Sequence, residues 1–305
     1  MLVYALKRLC VAVLVALFVS AIAFTALRMS GDPAMAIAGE GAKAADIEQI
    51  RKTYGHDRPL AVQYFDWLKT VAKGDFGESL YYKTSVTSLI ADKLPVTFIV
   101  GALSIVFALA LSIPLGVLAA VYQGSVIDRL ALAIAVAGQA LPNFFFALVL
   151  MMFFSIQLRW LPVSGSDTWA HYVMPVIALG YYVTPPLMRL VRAGMIEVLG
   201  ADYIRTARAK GLSSMSVVFK HGLRNALVPV VALAAVQLGL LLGGSIVIKT
   251  IFALDGLGYL AYQSITHKDY PVTQAVLLLL SLIYVLLTLA ADLLNAFLDP
   301  RMRVA

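Results

Sequence analysis

Between Gly200 and Val230 the chain reads GADYIRTARAKGLSSMSVVFKHGLRNALVPV, with five cations from Arg205 to Arg224. The segment is too polar to sit in lipid and too short to persist as an isolated helix in water. It must therefore dock on something. Around it the chain is of a different kind: 61% of its 305 residues are hydrophobic and only 13% are charged, where soluble domains carry about 25%. Mean hydropathy is +0.87. The charges are bunched, which leaves uncharged runs at 9–27, 94–127, 130–158, 168–188, 225–248 and 270–291. About 20 apolar residues cross the hydrocarbon core as a helix. The expectation is an all-α integral membrane protein with six transmembrane helices.

Lys7 and Arg8 precede the first run and Ala34-Met35-Ala36 offers a small-residue cleavage site, so a signal peptide is the alternative reading of the N-terminus. Its apolar core is longer than a signal h-region, and a retained anchor is expected. Cys10 is the single cysteine, which rules out an internal disulfide. Orientation follows from Lys and Arg in short loops. With the N-terminus inside, twelve cations lie in short cytoplasmic segments, namely Lys7, Arg8, Arg129, seven from Arg189 to Arg224, Arg301 and Arg303. Three, Arg159, Lys249 and Lys268, lie in short outer loops. Both termini are expected to be cytoplasmic. The net charge of +7 then reflects topology, and nucleic-acid binding is not expected.

Three regions follow: 1–28 as N-terminal stub and first span, 29–93 as an outer cap, and 94–305 as the core with spans two to six and the loop 189–224. Within the cap, Ile47, Ile50 and Tyr54 form one helical stripe, and Leu60, Tyr64, Trp67, Leu68 and Val71 another. His56-Asp57-Arg58-Pro59 separates them. Prolines 95, 114, 142, 175, 185 and 186 interrupt the spans and predict kinks. Gly239 and Gly243 form a small-x-x-x-small face that predicts close helix packing.

No G-x-x-x-x-G-K-[ST] occurs, so no nucleotide phosphate is cradled by that route. Gly256–Ala261 fits G-x-G-x-x-A but does not open a βαβ unit. The four histidines are scattered, and no metal site is expected. Asp292 is the one acid placed to relay protons; a polar contact within the bundle, beside Arg301, is the expected role. In the opening stretch Gly200 and Gly211 bracket a short helix with Asp202 available as N-cap. Arg205 and Arg208 share one face, Ile204 and Ala207 another. A basic helix lying on anionic lipid explains the charge. It leaves the small face and the flanking glycines without a reason, and these suit a protein groove.

The pair YIRTARAKG and KHGLRNALVPV resembles the cytoplasmic loop of permease subunits of ABC importers, in which a Glu-Ala-Ala-x-x-x-Gly signature forms a coupling helix seated in the ATPase. The chain looks like the first permease of the peptide/nickel group. Further matched segments run nearly end to end: GDPAMAIAG (31–39), QYFDWL and GDFGESL (63–80), IPLGVLAA (113–120), LPNFFFALVL (141–150), WLPVSG (160–165), GGSIVIKTIF (243–252), GLG (256–258), DYPVTQ (269–274) and LDPRMR (298–303). By position the signature glycine is Gly211, its glutamate falls on Arg205, and its alanines on Thr206 and Ala207. The Ile-x-Leu-Pro that closes the general signature falls on His221, Gly222, Leu223 and Arg224. Lys249 stands where this branch usually has Glu, Asp255 where it has Pro, and Thr288 where it has Asn.

The resemblance implies a type I ABC importer permease fold in the bacterial inner membrane. It also implies a second permease, two ATPases and a periplasmic or lipid-anchored solute-binding protein as partners. The chain would be no enzyme and hold no cofactor; ATP and Mg would be bound by the ATPases. Coupling would fall to Asp202, Tyr203, Arg205, Thr206, Ala207, Arg208, Lys210 and Gly211, and the pathway or gate to Asn143, Lys249 and Asp255. Lys249 would either snorkel to headgroups or face the lumen, there to hold a substrate carboxylate or to pair with Asp255 when the pathway is closed. The segments GSDTWAHY and LLGGSIV look closest to glutathione and short-peptide members. Nickel chelates or opines are alternative substrates, and an ion-coupled secondary transporter is the alternative mechanism.

Overall fold

The computed structural model describes residues 2–39, 41–244 and 246–298. Arg301 and Arg303 of the cation count, and Ser245 within GGSIVIKTIF, lie outside the described residues. Among those described, the chain is helical, with no strand beyond one isolated bridge between Glu78 and Ser85. The first run lies in α1 (Leu2–Ser30), followed by α2 (Pro33–Ala38), α3 (Ala44–Thr53) and α4 (Leu60–Ala72). Helices α3 and α4 stand where the two apolar stripes placed them. The short α2 is additional: Asp32 accepts a hydrogen bond from the Ala34 amide and Pro33 opens the helix, an ordinary N-terminal pairing.

The second run lies in α5 (Val86–Val121), which at 36 residues is about 54 Å long, far more than the hydrocarbon core requires. It begins eight residues before the uncharged run, so position 93 falls inside a helix. Its first turns, through Val86 and Ile90, join a separate apolar cluster with α13 (Leu257–Thr266) and α14 (Tyr270–Leu298). Helix α8 (Ala170–Leu199) runs unbroken through Pro175, Pro185 and Pro186. It packs along α5 so closely that a Cβ on Gly180 would lie 2.6 Å from the Ser104 carbonyl oxygen, and one on Gly116 2.7 Å from the Val191 side chain. Buried Val100, Ala108, Leu179, Val183, Leu187 and Val191 fill this contact.

The third run breaks at Pro142, where a kink is expected, but turns far more sharply than a kink. It forms α6 (Val126–Ala140) and α7 (Asn143–Leu150), the latter continuing as a π-helix over Met151–Gln157, with a bend of 97° between the two halves. Pro142 is the cause: it forces Leu141 into extended backbone and starts a new helix in a new direction. The fifth run is also broken. A π-helix (Ser216–Leu223) and α10 (Arg224–Ala226) meet α11 (Val228–Gly244) at 51°, and α12 (Ile246–Ile251) follows. Among the described residues three helices, α1, α5 and α14, are long and apolar enough to cross a membrane, and counting each bent pair as one span raises the number to five. Helix α8, which carries the fourth run, falls short in apolarity. Packed against α5, α6, α7 and α11, it has less need to be apolar all round.

Helix α1 lies at the edge against α14 and shows Leu6, Leu14, Phe18 and Ile22 outward, as contact with lipid requires. The small-residue face of α11 is half realised. A Cβ on Gly239 would stand 3.0 Å from the Tyr284 ring of α14, whereas Gly243 has open space. Asp292 is not beside a free headgroup region alone: it pairs with Arg8 of α1 at 3.0 Å, a polar contact within the bundle.

Candidate functional site

The opening stretch folds as α9 (Asp202–Ala209), between the end of α8 and the π-helix. Ile204 and Ala207 are buried with Val217 of the π-helix, and Val198 of α8 packs on the same cluster. Eight residues cannot hold a helix in water, so this apolar seat is what makes α9 exist. Asp202 is not the N-cap. Ala201 takes that position without a side-chain bond, and Asp202 is the first helical residue, 3.3 Å from Arg205. Both members are largely exposed, and such pairs contribute little. Tyr203, Arg205, Thr206, Arg208 and Lys210 point outward, whereas Ala207 faces the protein body and belongs to the seat. Tyr203 is tied back by the Asn225 amide at 2.9 Å. Exposed Leu212, Met215 and Phe219 adjoin the cations, which makes the surface basic and apolar at once.

Gly211 closes α9 with φ +80°, and nothing lies within 4 Å of where its Cβ would be. Of the two reasons for a glycine here, a left-handed turn and a close backbone approach, this chain by itself supplies the first. A third support of this end of the molecule was not anticipated. Arg192 of α8 grips Asp128 of α6 with two hydrogen bonds, 2.8 and 2.7 Å, and the Gly124 amide adds a third to the same carboxylate. The α5–α6 turn is thereby fixed to the helix that seats α9. The sequence signal was present: Asp128 is the charge that ends the second uncharged run.

The three pathway candidates are not joined by any hydrogen bond or ion pair among the described residues. Asn143 is half-buried in the first turn of α7, just past the Pro142 bend. Lys249 neither snorkels nor faces a lumen. It is 1% exposed, its ammonium donates to the Leu242 carbonyl at 3.1 Å, and its stem occupies the space that a Cβ on Gly258 would need. A Lys249–Asp255 pair, one of the roles open to Lys249, does not form; Asp255 pairs with Lys93 of α5 at 2.5 Å. Leu242 belongs to α11, seven residues before Lys249 in the chain.

Near Asp255 stands a second residue that residue-level reasoning passed over. Asp269 is fully buried and accepts hydrogen bonds from the Ser79 hydroxyl (2.5 Å) and the Leu80 and Tyr81 amides (3.2 Å each). Tyr81 stacks on His267 at 3.8 Å. The turn before α5 is thus clasped to the turn before α14.

With this geometry established, similarity to known proteins was assessed. Residues 112–304 match the family described as binding-protein-dependent transport system inner membrane component, and residues 1–101 match the corresponding N-terminal family. The chain is 42% identical over 304 residues to the glutathione transport system permease protein GsiC of Pectobacterium atrosepticum and to that of Escherichia coli K12, covering 99% of both sequences in each case. The GsiC of Salmonella typhimurium is 41% identical over the same coverage. Among solved structures, an inward-facing form of the MetNI methionine ABC transporter matches with a TM-score of 0.57 at 24% identity, over 69% of this chain and 96% of that one. An amino acid ABC transporter structure matches with a TM-score of 0.51 at 17% identity, over 70% and 94%. These structural matches show the fold.

Proposed function

Since the chain belongs to the binding-protein-dependent transport system inner membrane component family, we propose that it forms, with a second permease, the path by which short peptides of the glutathione class enter the cell. It is a multi-pass protein of the bacterial inner membrane, and the likeness to glutathione permeases over the full length carries the substrate reading. On this reading α8 completes six spans, α2–α4 form a cap on the periplasmic side, and both termini are cytoplasmic.

The observation that supports coupling is the two-sided build of α9: an apolar seat on α8 and the π-helix, and an exposed basic face. An ATPase groove that takes Tyr203, Arg205, Thr206, Arg208 and Lys210 would pass its closure through Ile204 and Ala207 into α8, and from α8 into the α5 contact. Asp202 and Gly211 set the ends of the helix that makes this transfer. The partner ATPases bind Mg and ATP and hydrolyse the ATP, so this chain performs no chemistry. Reconstitution with the partner permease, ATPases and binding protein tests the proposal. Uptake of glutathione or a tripeptide that requires ATP and persists after ion gradients are dissipated supports it. Uptake that collapses with the gradient would falsify it.

A further inference from the structure

A cleft of about 440 Å³ opens at the cap end between α1, the α3–α4 turn, α4 and the start of α14. Its size is that of a small-ligand pocket, and its walls carry polar groups left without partners. Arg28 donates to Nδ1 of His56 at 3.2 Å and its guanidinium lies 5.0 Å above the Phe24 ring. Among the described residues no carboxylate stands within salt-bridge distance of it; Asp32, the acid nearest in sequence, is taken by Arg51 at 2.5 Å. Gln274 of α14 is 7% exposed and its Nε2 has no hydrogen-bond partner. Gln63 donates from Nε2 to the carbonyls of His56 (3.0 Å) and Arg58 (2.7 Å), which fixes the amide and leaves its buried Oε1 unpaired. Asp66 and Asp75 also line the cleft. Asp66 has only long, exposed contacts with Arg58 and Lys69, and Asp75 uses one oxygen on the Gly77 amide.

Buried polar groups are rarely left unsatisfied; Gln63 Oε1 and Gln274 Nε2 are closed off from solvent in this structure, and a ligand would recover their desolvation once the amides turn into the cleft. Here the spare groups are of two kinds. Arg28 and Gln274 offer N–H donors to an acid group, while Gln63 Oε1 and the two carboxylates offer acceptors to an ammonium. We propose that this cleft binds a small zwitterion, with its acid group on Arg28 and Gln274 and its primary ammonium toward Gln63, Asp66 and Asp75. A free short peptide and an ethanolamine phospholipid headgroup share that chemistry. The inference stands apart from transport, because binding is measured directly.

Trp67 lines the cleft and serves as reporter once Trp160 and Trp169 are replaced by Phe in the full-length chain. In phosphatidylcholine nanodiscs triglycine is expected to change Trp67 emission saturably, with N-acetyl-triglycine and triglycine amide each about tenfold weaker. In phosphatidylethanolamine discs a headgroup in the cleft shifts emission without peptide and weakens triglycine by competition. Arg28→Gln and Gln274→Leu should each lower the response about tenfold. Gln274→Leu should do so with unchanged or higher Tm, since it removes an unpaired buried amide, and this separates loss of the site from loss of fold. A silent Trp67 in both lipids overturns the proposal, as does binding that both variants leave intact.

Discussion

Gly211 shows how a single residue's role changes once its surroundings are known. With φ +80° and open space around its Cβ position, the restriction is on the backbone, and a side chain there costs about 1–2 kcal/mol unless it tolerates the left-handed region. Gly211→Asn should therefore keep most uptake while Gly211→Leu loses it; equal loss in both would point to contact with the ATPase backbone instead. At the other end of the molecule, Lys93 and Asp255 form a partly exposed pair. Its coupling energy, from a double-mutant cycle with Lys93→Ala and Asp255→Ala, should lie at about 0.2–1 kcal/mol. The charge-swapped Lys93→Asp/Asp255→Lys variant should transport better than either single swap. His56 carries the acid sensitivity of the cap. Burial and the Arg28 charge hold it below the ordinary imidazole range, against the opposing pull of Asp32, Gln63 and Asp57. The stability its neutral form contributes is therefore complete above about pH 6.5 and lost as pH falls through the depressed value. Protection factors against hydrogen exchange at 54–63, with the intrinsic pH dependence removed, should fall between pH 7.5 and 5, and His56→Gln should flatten that dependence.

Helix α9 depends on two buried side chains and little else. Ile204→Asp places a charge in the seat formed with Val198 and Val217 and should release the helix. Cysteine labelling or proteolysis within 202–211 should then rise, with uptake lost while the rest of the bundle stays folded; an unchanged pattern would show that α9 is held from elsewhere. The seat was legible in the sequence because a three-residue spacing of Ile204 and Ala207 against Arg205 and Arg208 has one helical solution. The cap helices were legible for the same reason. The turn at Pro142 was legible as a kink but not in its 97° size, because an uncharged apolar run looks the same whether it crosses the bilayer or doubles back within it. Neither π-helix had a sequence signal, since their extra residue per turn depends on what packs beside them. Lys249 was misread because a cation near the end of an apolar run ordinarily reaches water. Its burial and its bond to the Leu242 carbonyl are matters of tertiary packing, where counting charges does not reach. Asp128 and Asp269 were visible only as run boundaries, and their partners lie 64 and 190 residues away.

For the molecule as a whole, the cation distribution leads us to expect the cap and α9 on opposite sides of the membrane. Single cysteines at Lys73 and Ser214, both exposed and placed in a Cys10→Ser background, should react with an impermeant maleimide from opposite faces. Reaction of both from one face would overturn the topology. The long α5 belongs to both regions, in the central contact with α8 and in the cluster with α13 and α14, so cap and bundle share one rigid rod. The Asp269 clasp adds an order in time. Ser79, Leu80 and Tyr81 leave the ribosome long before Asp269 is made, and no group within the early chain replaces its carboxylate. While the later spans are still being inserted, the turn before α5 keeps two amides and a hydroxyl without their final acceptor. A chain that stalls before its last helix therefore displays an unclosed turn on its surface, a mark by which a membrane protease could tell an unfinished copy from a finished one.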